Sequence, residues 1–362
     1  MKAISIALRC AAVAGVLLGL SGCEILQPKA PPAPSFTEPF APIAPADQVA
    51  GMKRGMNVLS GDPGWADASK ARFTPAHFKI IRDAGFSTVR IVMNPFAFMD
   101  DKGNLDPGWF AHLDLMVKAG LDAGLTVIID NHEYELCGKD VVTCRTKLNA
   151  FWSIAAPRYK DAPNRLIFEI LNEPHDALTA ELWNRQLVET LAIIRASNPS
   201  RNVVIGPGNW NGMEFLPKLV LPAGDRHIIV TFHYYHPMEF THQGAPWVPQ
   251  YKQLGVTWGS AADYALLDKE FDEVKAWAVA NDRPIFEGEF GAYETGAMAD
   301  RARWTAAVAR ANEARGFAWA YWQFDHDFVA YDIDKGQWIE PILHALIPPV
   351  TASGTGVQTA TK

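Results

Sequence analysis

Leu166–Pro174 reads L-I-F-E-I-L-N-E-P. Its first six residues are apolar and branched apart from Glu169, the composition of a strand buried on both faces of a parallel sheet. Pro174 has no N–H to give a sheet ladder, so the strand ends about there. An amide and a carboxylate, Asn172 and Glu173, are thus left at the carboxyl end of an apolar strand. Taken alone, an Asn-Glu pair before a turn also fits a helix cap. The surrounding chain decides between the two readings.

Seven more short apolar runs flank this one: Gly55–Leu59, Thr88–Met93, Thr126–Asn131, Asn202–Gly206, Ile228–Tyr235, Pro284–Phe290 and Phe317–Phe324. Helical patterns separate most of them, at 75–84, 110–123, 180–196, 263–280 and 300–314. Gly85, Gly124 and Gly316 stand just past three of these helices, and Glu181 and Arg195 sit near opposite ends of another, the punctuation helices favour. Strands alternating with helices imply a parallel sheet, and eight such units imply a closed (β/α)8 barrel, a TIM barrel, in one domain. An open doubly wound sheet is the alternative, but no Gly-rich phosphate fingerprint opens the first helix.

The 362 residues carry a formal net charge of −7 and no basic run, which argues against a nucleic-acid partner. Residues 1–22 read as a signal peptide: Lys2 and Arg9 precede an apolar stretch, Ala11–Leu20, that is too short to span a bilayer. Leu20-Ser21-Gly22-Cys23 resembles a bacterial lipobox. That resemblance implies lipidation at Cys23 and a chain anchored in the bacterial cell envelope, at the outer membrane or cell surface. Acyl chains would hold it to the membrane. Residues 23–49 hold a Pro/Ala-rich segment, expected to be an extended tether. Residues 50–349 form the barrel domain, and 350–362 a small, polar, disordered tail. Cys137 and Cys144 lie in a loop-like stretch. Outside the cytoplasm, two leftover cysteines more often form a disulfide than a metal site, and a bridge pinning that loop is expected.

The strand ends are polar or aromatic where a core would not want them. They carry Asn57, Arg90, Asp130-Asn131-His132-Glu133, Asn209-Trp210, His233-Tyr234-Tyr235, Glu289 and Trp322-Gln323. Residues two apart on a strand share a face. His233 and Tyr235 therefore share one, as do Glu287 and Glu289, and so do Glu169, Leu171 and Glu173. Glu173 and Glu289 are expected to face each other across roughly 5–6 Å, the arrangement of a glycoside-cleaving carboxylate pair. One protonates the leaving oxygen and needs a raised pKa; the other attacks the anomeric carbon and must stay ionised. Arg90 and Tyr235 are candidates to keep Glu289 charged, and Asn172 to hold the sugar 2-hydroxyl. The two carboxylates suffice for this chemistry, so no cofactor or metal is expected.

With these pieces in place, V-R-I (Val89–Ile91), D-N-H (Asp130–His132), F-E-I-L-N-E-P (Phe168–Pro174), H-Y-Y (His233–Tyr235), G-E-F-G-A-Y (Gly288–Tyr293) and A-Y-W-Q-F (Ala320–Phe324), the chain resembles family 5 glycoside hydrolases, the retaining cellulase family. The resemblance runs over about residues 50–348. It implies an endo-β-1,4-glucanase acting as a monomer on β-linked polysaccharide, with Glu173 as acid/base and Glu289 as nucleophile. It also implies Arg90, His132, Asn172, His233, Tyr235 and Trp322 as surrounding substrate-site residues, to which Asn57, near the end of the first run, is added as a substrate-binding candidate. The segment His233–Val248 looks like members that cleave both β-1,4-glucan and β-1,4-mannan, which adds His242 and Trp247. Trp210 and Trp258 are further candidates for stacking on sugar, the latter equally a core residue. A β-mannanase, another β-glycanase, or a non-catalytic polysaccharide-binding lipoprotein stay open as alternatives. The chain departs from the family in two places. Glu133 stands where relatives often have a second His that contacts substrate. Glu287 stands where many have an apolar residue, and parity puts it inside the barrel below Glu289, where a buried carboxyl needs a raised pKa or an Arg partner.

Overall fold

The fold is that of a computed structural model, which describes residues 31–349. The expected signal peptide, the lipidation at Cys23 and the tail at 350–362 lie outside the described residues. Eight parallel strands close into a barrel in sequence order. They are β1 (Arg54–Val58), β2 (Thr88–Met93), β3 (Thr126–Asn131), β4 (Leu166–Glu169), β5 (Val203–Ile205), β6 (Ile228–Tyr234), β7 (Ile285–Phe290) and β8 (Ala318–Tyr321). The helices are α1 (Pro45–Met52), α2 (Pro75–Asp83), α3 (Pro107–Asp122), α4 (Tyr134–Lys139), α5 (Val141–Arg158), α6 (Ala180–Arg195), α7 (Met238–Thr241), α8 (Ala261–Asn281), α9 (Met298–Arg315) and α10 (Glu340–Leu346). Among the described residues no helix is long and apolar enough to cross a membrane.

The barrel interior is layered. Ile128, Ile167, Val204, Ile229, Phe286, Ala318 and Ala320 form an apolar floor, into which Val49 and Met52 of α1 pack from below. Above it come Asn57, Arg90, Asp130, Glu169 and Thr231, all fully buried. Apolar layers in the lower barrel and polar ones toward the carboxyl ends of the strands leave the upper rim to carry function.

The segment expected as a free tether is instead docked from Pro31 onward. Arg158 donates to the carbonyls of Pro31 and Pro32, Arg165 pairs with Glu38, and Asn202 donates to the Ile43 carbonyl. Phe40 lies on the buried Arg201 guanidinium, 4.6 Å from ring centre to Cζ. The prolines fix an extended path, but Phe36, Phe40 and α1 have apolar surface to bury, and the barrel base receives it. The globular unit thus begins before residue 50.

The stretch carrying Cys137 and Cys144 is helical rather than loop-like. It forms the end of α4 and the start of α5, with Asp140 between them accepting from the Thr143 N–H as an N-cap. Cys137 and Cys144 are joined in a disulfide. The β-branched opening of α5 and Pro157 near its end hide the helical period from the sequence.

Parity fails at β7. Glu287 pairs with Phe232 of β6, but Glu289 pairs with His233, so one extra residue sits in β7 at Gly288. Such a bulge reverses the faces beyond it. Phe286 therefore points into the barrel, Glu287 out toward α9, and Glu289 in again. Only glycine fits the bulge: a Cβ there would stand 2.8 Å from both His233 Nε2 and Thr231 Oγ1. Glu287 does not take the inward position expected of it, and of the two outcomes expected for a buried carboxyl it shows the raised pKa and not the Arg partner. It meets the Asn312 amide, and burial holds its carboxyl well above the ordinary value.

Candidate active site

Arg90, fully buried in β2, organises the mouth of the barrel. Its Nε and Nη2 donate to the two oxygens of Glu169 at 2.7 and 2.9 Å. Nη1 reaches Glu289 Oε1 at 2.7 Å and Asn57 Oδ1 at 3.0 Å. Nη2 also reaches Asn172 Oδ1 at 2.8 Å and lies 3.0 Å from Asp130. A planar five-donor fork can serve so many acceptors at once; a point charge cannot. Asn57 completes the frame by donating to the Gly288 carbonyl at 2.9 Å, which ties the bulge to β1.

Asn57 and Arg90 have no exposed surface. They are positioning groups and not the substrate contacts sought from the sequence. Asn172 is equally buried, its amide oriented by Arg90 on one side and His132 Nε2, 3.3 Å away, on the other. His132 Nδ1 lies 2.6 Å from Asp130. Burial, with Arg90 nearby, pushes the His132 pKa down to about 3, so the ring is neutral, donating from Nδ1 and accepting at Nε2. Its face lies flat on Trp322, ring centres 5.3 Å apart at 11°.

Glu173 lies past the end of β4 with φ 42°, a left-handed conformation rare for a side-chain-bearing residue. Strain at a site of this kind persists only where the surroundings hold it. His175 does part of this through its Nδ1, 2.7 Å from the Glu173 carbonyl. The Glu173 carboxylate takes Nδ1–H of His233 at 2.7 Å, and His233 Nε2 in turn faces the Asn211 amide at 3.3 Å. Glu289 Oε2 takes the Tyr235 hydroxyl at 2.9 Å. Single oxygens of Glu173 and Glu289 and a ring nitrogen of His233 all lie within 4.8 Å of one another, so the two carboxyls face each other across one short gap. These three also offer a carboxylate–imidazole–carboxylate set of the kind a divalent cation takes. Here His233 has already given its Nδ1–H to Glu173.

The two carboxyls differ in their donors. Glu289 accepts from a guanidinium and a phenol, Glu173 from a neutral imidazole. Burial pushes Glu173 up to about 8 against the pull of Arg90. Burial also raises Glu289, but the Arg90 guanidinium acts against it. The proton therefore rests on Glu173, and Glu289 keeps the charge.

Around this centre His242 packs edge-on against Tyr235 and Phe328, at 5.0 and 5.6 Å. Trp247, about half exposed, meets Tyr293 edge-on. Trp210 is also exposed and lies flat on His175, raised there by three successive left-handed residues, Asn209, Trp210 and Asn211. Trp258 is buried, edge-on against Tyr264, and belongs to the core. Glu133 is buried, accepts from the Phe96 N–H, and is lifted by burial to about 7.

Sequence reasoning passed over Glu169, His175 and Asn211. A charge inside the strand L-I-F-E was a usable signal, because a buried carboxylate needs a cation and Arg90 stood within another strand. His175 and Asn211 carried no such signal, since each depends on loop conformation.

The model of the family described as cellulase (glycosyl hydrolase family 5) matches residues 46–327. Endoglucanase H of Acetivibrio thermocellus is 32% identical over 288 residues, 76% of this chain and 30% of that protein. The chain spans about a third of the length of the first curated relatives it matches. Among solved structures, endoglucanase Cel5A of Thermotoga maritima is 38% identical, with a TM-score of 0.80 over 84% of this chain and 100% of that one. The same enzyme in complex with mannotriose gives 37% and 0.79 over the same shares.

Proposed function

The chain belongs to glycosyl hydrolase family 5, and from that premise we propose that it is a retaining endo-β-1,4-glucanase. The observation that carries this reading is the Glu173–Glu289 pair, set close across one cavity with unequal donors. So short a gap suits direct attack, whereas an inverting pair stands roughly 6.5–9.5 Å apart to admit a water. Glu289 attacks the anomeric carbon while Glu173 gives its proton to the departing glycosidic oxygen. The sugar is then held as an ester on Glu289. Glu173, now ionised and steadied by His233 Nδ1–H, takes a proton from water, which attacks the same carbon and frees Glu289. Arg90 and Tyr235 keep Glu289 charged and aimed, and the His132–Trp322 pair offers a flat wall for a sugar ring.

This assignment fixes a pH dependence. Glu173 must carry its proton for the first step, so kcat/KM should fall as pH rises through about 8. Glu289 must lose its proton, which sets the acid limb. An aryl glycoside whose phenol leaves without protonation should lose the alkaline limb; an unchanged limb would remove Glu173 from the acid role.

The substrate is tested by product profiles on carboxymethylcellulose, mixed-linkage glucan, xyloglucan, glucomannan and mannan. We expect β-1,4-glucan to be cut internally, with viscosity falling ahead of reducing-end release. Mannan is the second reading, favoured by the His233–Val248 segment and by the Thermotoga enzyme's complex with mannotriose. Turnover of none of them would leave a polysaccharide-binding protein. Lipid attachment at Cys23, with a monomer held at the cell envelope, completes the reading, and mass analysis of the mature N-terminus tests it.

A further inference from the structure

Among the described residues Asp130 and Glu169 are fully buried on Arg90, whereas Glu287, equally buried, has no such cation, and it lies immediately before the bulge that turns Glu289 inward. Its surroundings hold no cation: among the described residues no ion pair reaches it. From α9, Asn312 gives its amide both to Glu287 Oε2 and to the Val308 carbonyl. The other Glu287 oxygen and Asn312 Oδ1 are both buried without a partner. The indole N–H of Trp319, the β8 neighbour, is also buried without a partner among the described residues, and a proton on Glu287 would turn one of the two stranded acceptors into a donor toward Asn312. From β6, the register neighbour is the uncharged Phe232, and the Tyr234 hydroxyl goes to Glu270 of α8, which also meets His236. From β8, the register neighbour is the uncharged Trp319. The α9 charges look elsewhere: the buried Arg301 gives its Nε–H to the Ala292 carbonyl, Glu313 pairs with Arg54 and Arg310, and Arg315 with Asp268 and Asp272.

We propose that Glu287 is a positioning residue, carried as a neutral carboxylic acid and locked to Asn312, and that this lock fixes the outer side of the Gly288 bulge that aims Glu289. The inner side is fixed independently, by Asn57 on the Gly288 carbonyl. Clamped from both sides, the bulge has one register. The link to catalysis rests on Glu289 being the nucleophile; the protonation state does not.

The test compares Glu287→Gln and Glu287→Ala in the full chain. Gln copies the neutral acid, so kcat should stay within about twofold of the parent. Ala frees the bulge, so kcat should fall on the order of tenfold or more with KM little changed. A purely structural role would not separate kcat from KM or be rescued by Gln. A second readout needs no activity. A folded carboxyl whose pKa lies above its unfolded value costs stability as pH rises from the ordinary carboxyl range, about tenfold in the folding constant per pH unit. Gln has no proton to hold, so its Tm advantage over the parent should widen by about 2–4 °C per pH unit between pH 5 and 8. A Tm gap that stays flat would show an ionised Glu287, and a Gln variant as impaired in kcat as Ala would remove the lock; either overturns the proposal. Should Glu289→Ala stay active, the nucleophile reading fails while the Tm comparison still stands.

Discussion

Replacing Glu289 by Ala is expected to lower hydrolysis of β-1,4-glucan by on the order of 10⁴-fold or more, while oligosaccharide binding survives. The loss is large because nothing else in the cavity can form the ester. Arg90 has no lone pair to attack with, and burial keeps the Tyr235 hydroxyl protonated, which leaves it a weak nucleophile. Binding should survive because Glu289 is nearly buried, whereas Trp210 and Trp247, the proposed stacking residues, are exposed. A small anion tests the geometry directly. Azide entering the space left by Glu289, beside the vacated Arg90 donor, should attack an aryl β-glycoside and expel the phenolate. One displacement inverts the carbon, so the product is the α-glycosyl azide. The same treatment of Glu173→Ala leaves Glu289 in place; two displacements then give the β-azide. Parent-like activity in Glu289→Ala, or a β-azide from it, would unseat Glu289 as nucleophile.

The barrel was legible because its evidence is periodic. Each strand repeats one kind of local signal, an apolar run stopped by Gly, Pro or a polar pair, and β2 and β3 begin and end where those runs do. The pairing of Glu173 with Glu289 was legible for a different reason: Glu173 follows β4 and Glu289 stands near the end of β7, and a closed barrel brings all strand ends to one rim. What failed were the arguments that carried alternation beyond regular backbone. Glu173 faces the cavity because its φ is 42°, not because it is two residues from Leu171. Glu289 faces it because Gly288 is an extra residue, and the same bulge turns Glu287 outward. Sequence holds no parity signal for a bulge; the hint was the glycine itself, a residue with no side chain in the middle of a strand. The docking of residues 31–44 was hidden by composition. Prolines predict an extended path equally well whether the path runs through solvent or along a protein surface, and only Phe36 and Phe40 hinted at the second.

Arg90→Met is expected to cost both fold and function, by about 3–5 kcal/mol of stability and a further 10²–10³ in kcat from the loss of charge stabilisation at Glu289. The size follows from what one residue serves. Glu169 loses both of its guanidinium bonds, Asp130 its only cation, and Asn57 and Asn172 the contacts that orient their amides. Replacing every member of such a cluster with apolar side chains can be neutral, but removing the cation alone leaves buried carboxylates that must take up protons. Burial already lifts Asp130 to about 7 against the pull of Arg90, and it raises Glu169 too. Without the guanidinium their folded pKa values rise further above the unfolded ones. The variant therefore binds more protons folded than unfolded, and its stability deficit should grow as pH increases from 5 to 8. Glu289 loses a cationic partner as well, so the acid limb of kcat/KM should move to higher pH. Arg90→Lys keeps the charge but not the fork: it should recover part of the stability and little of the kcat, because one ammonium cannot reach Glu169, Asp130 and Glu289 together. Denaturant curves at the two pH values, read beside the kinetics, separate these effects. A deficit independent of pH, or a Lys variant with full activity, would show that Arg90 fills space rather than holding the charges of the site in register.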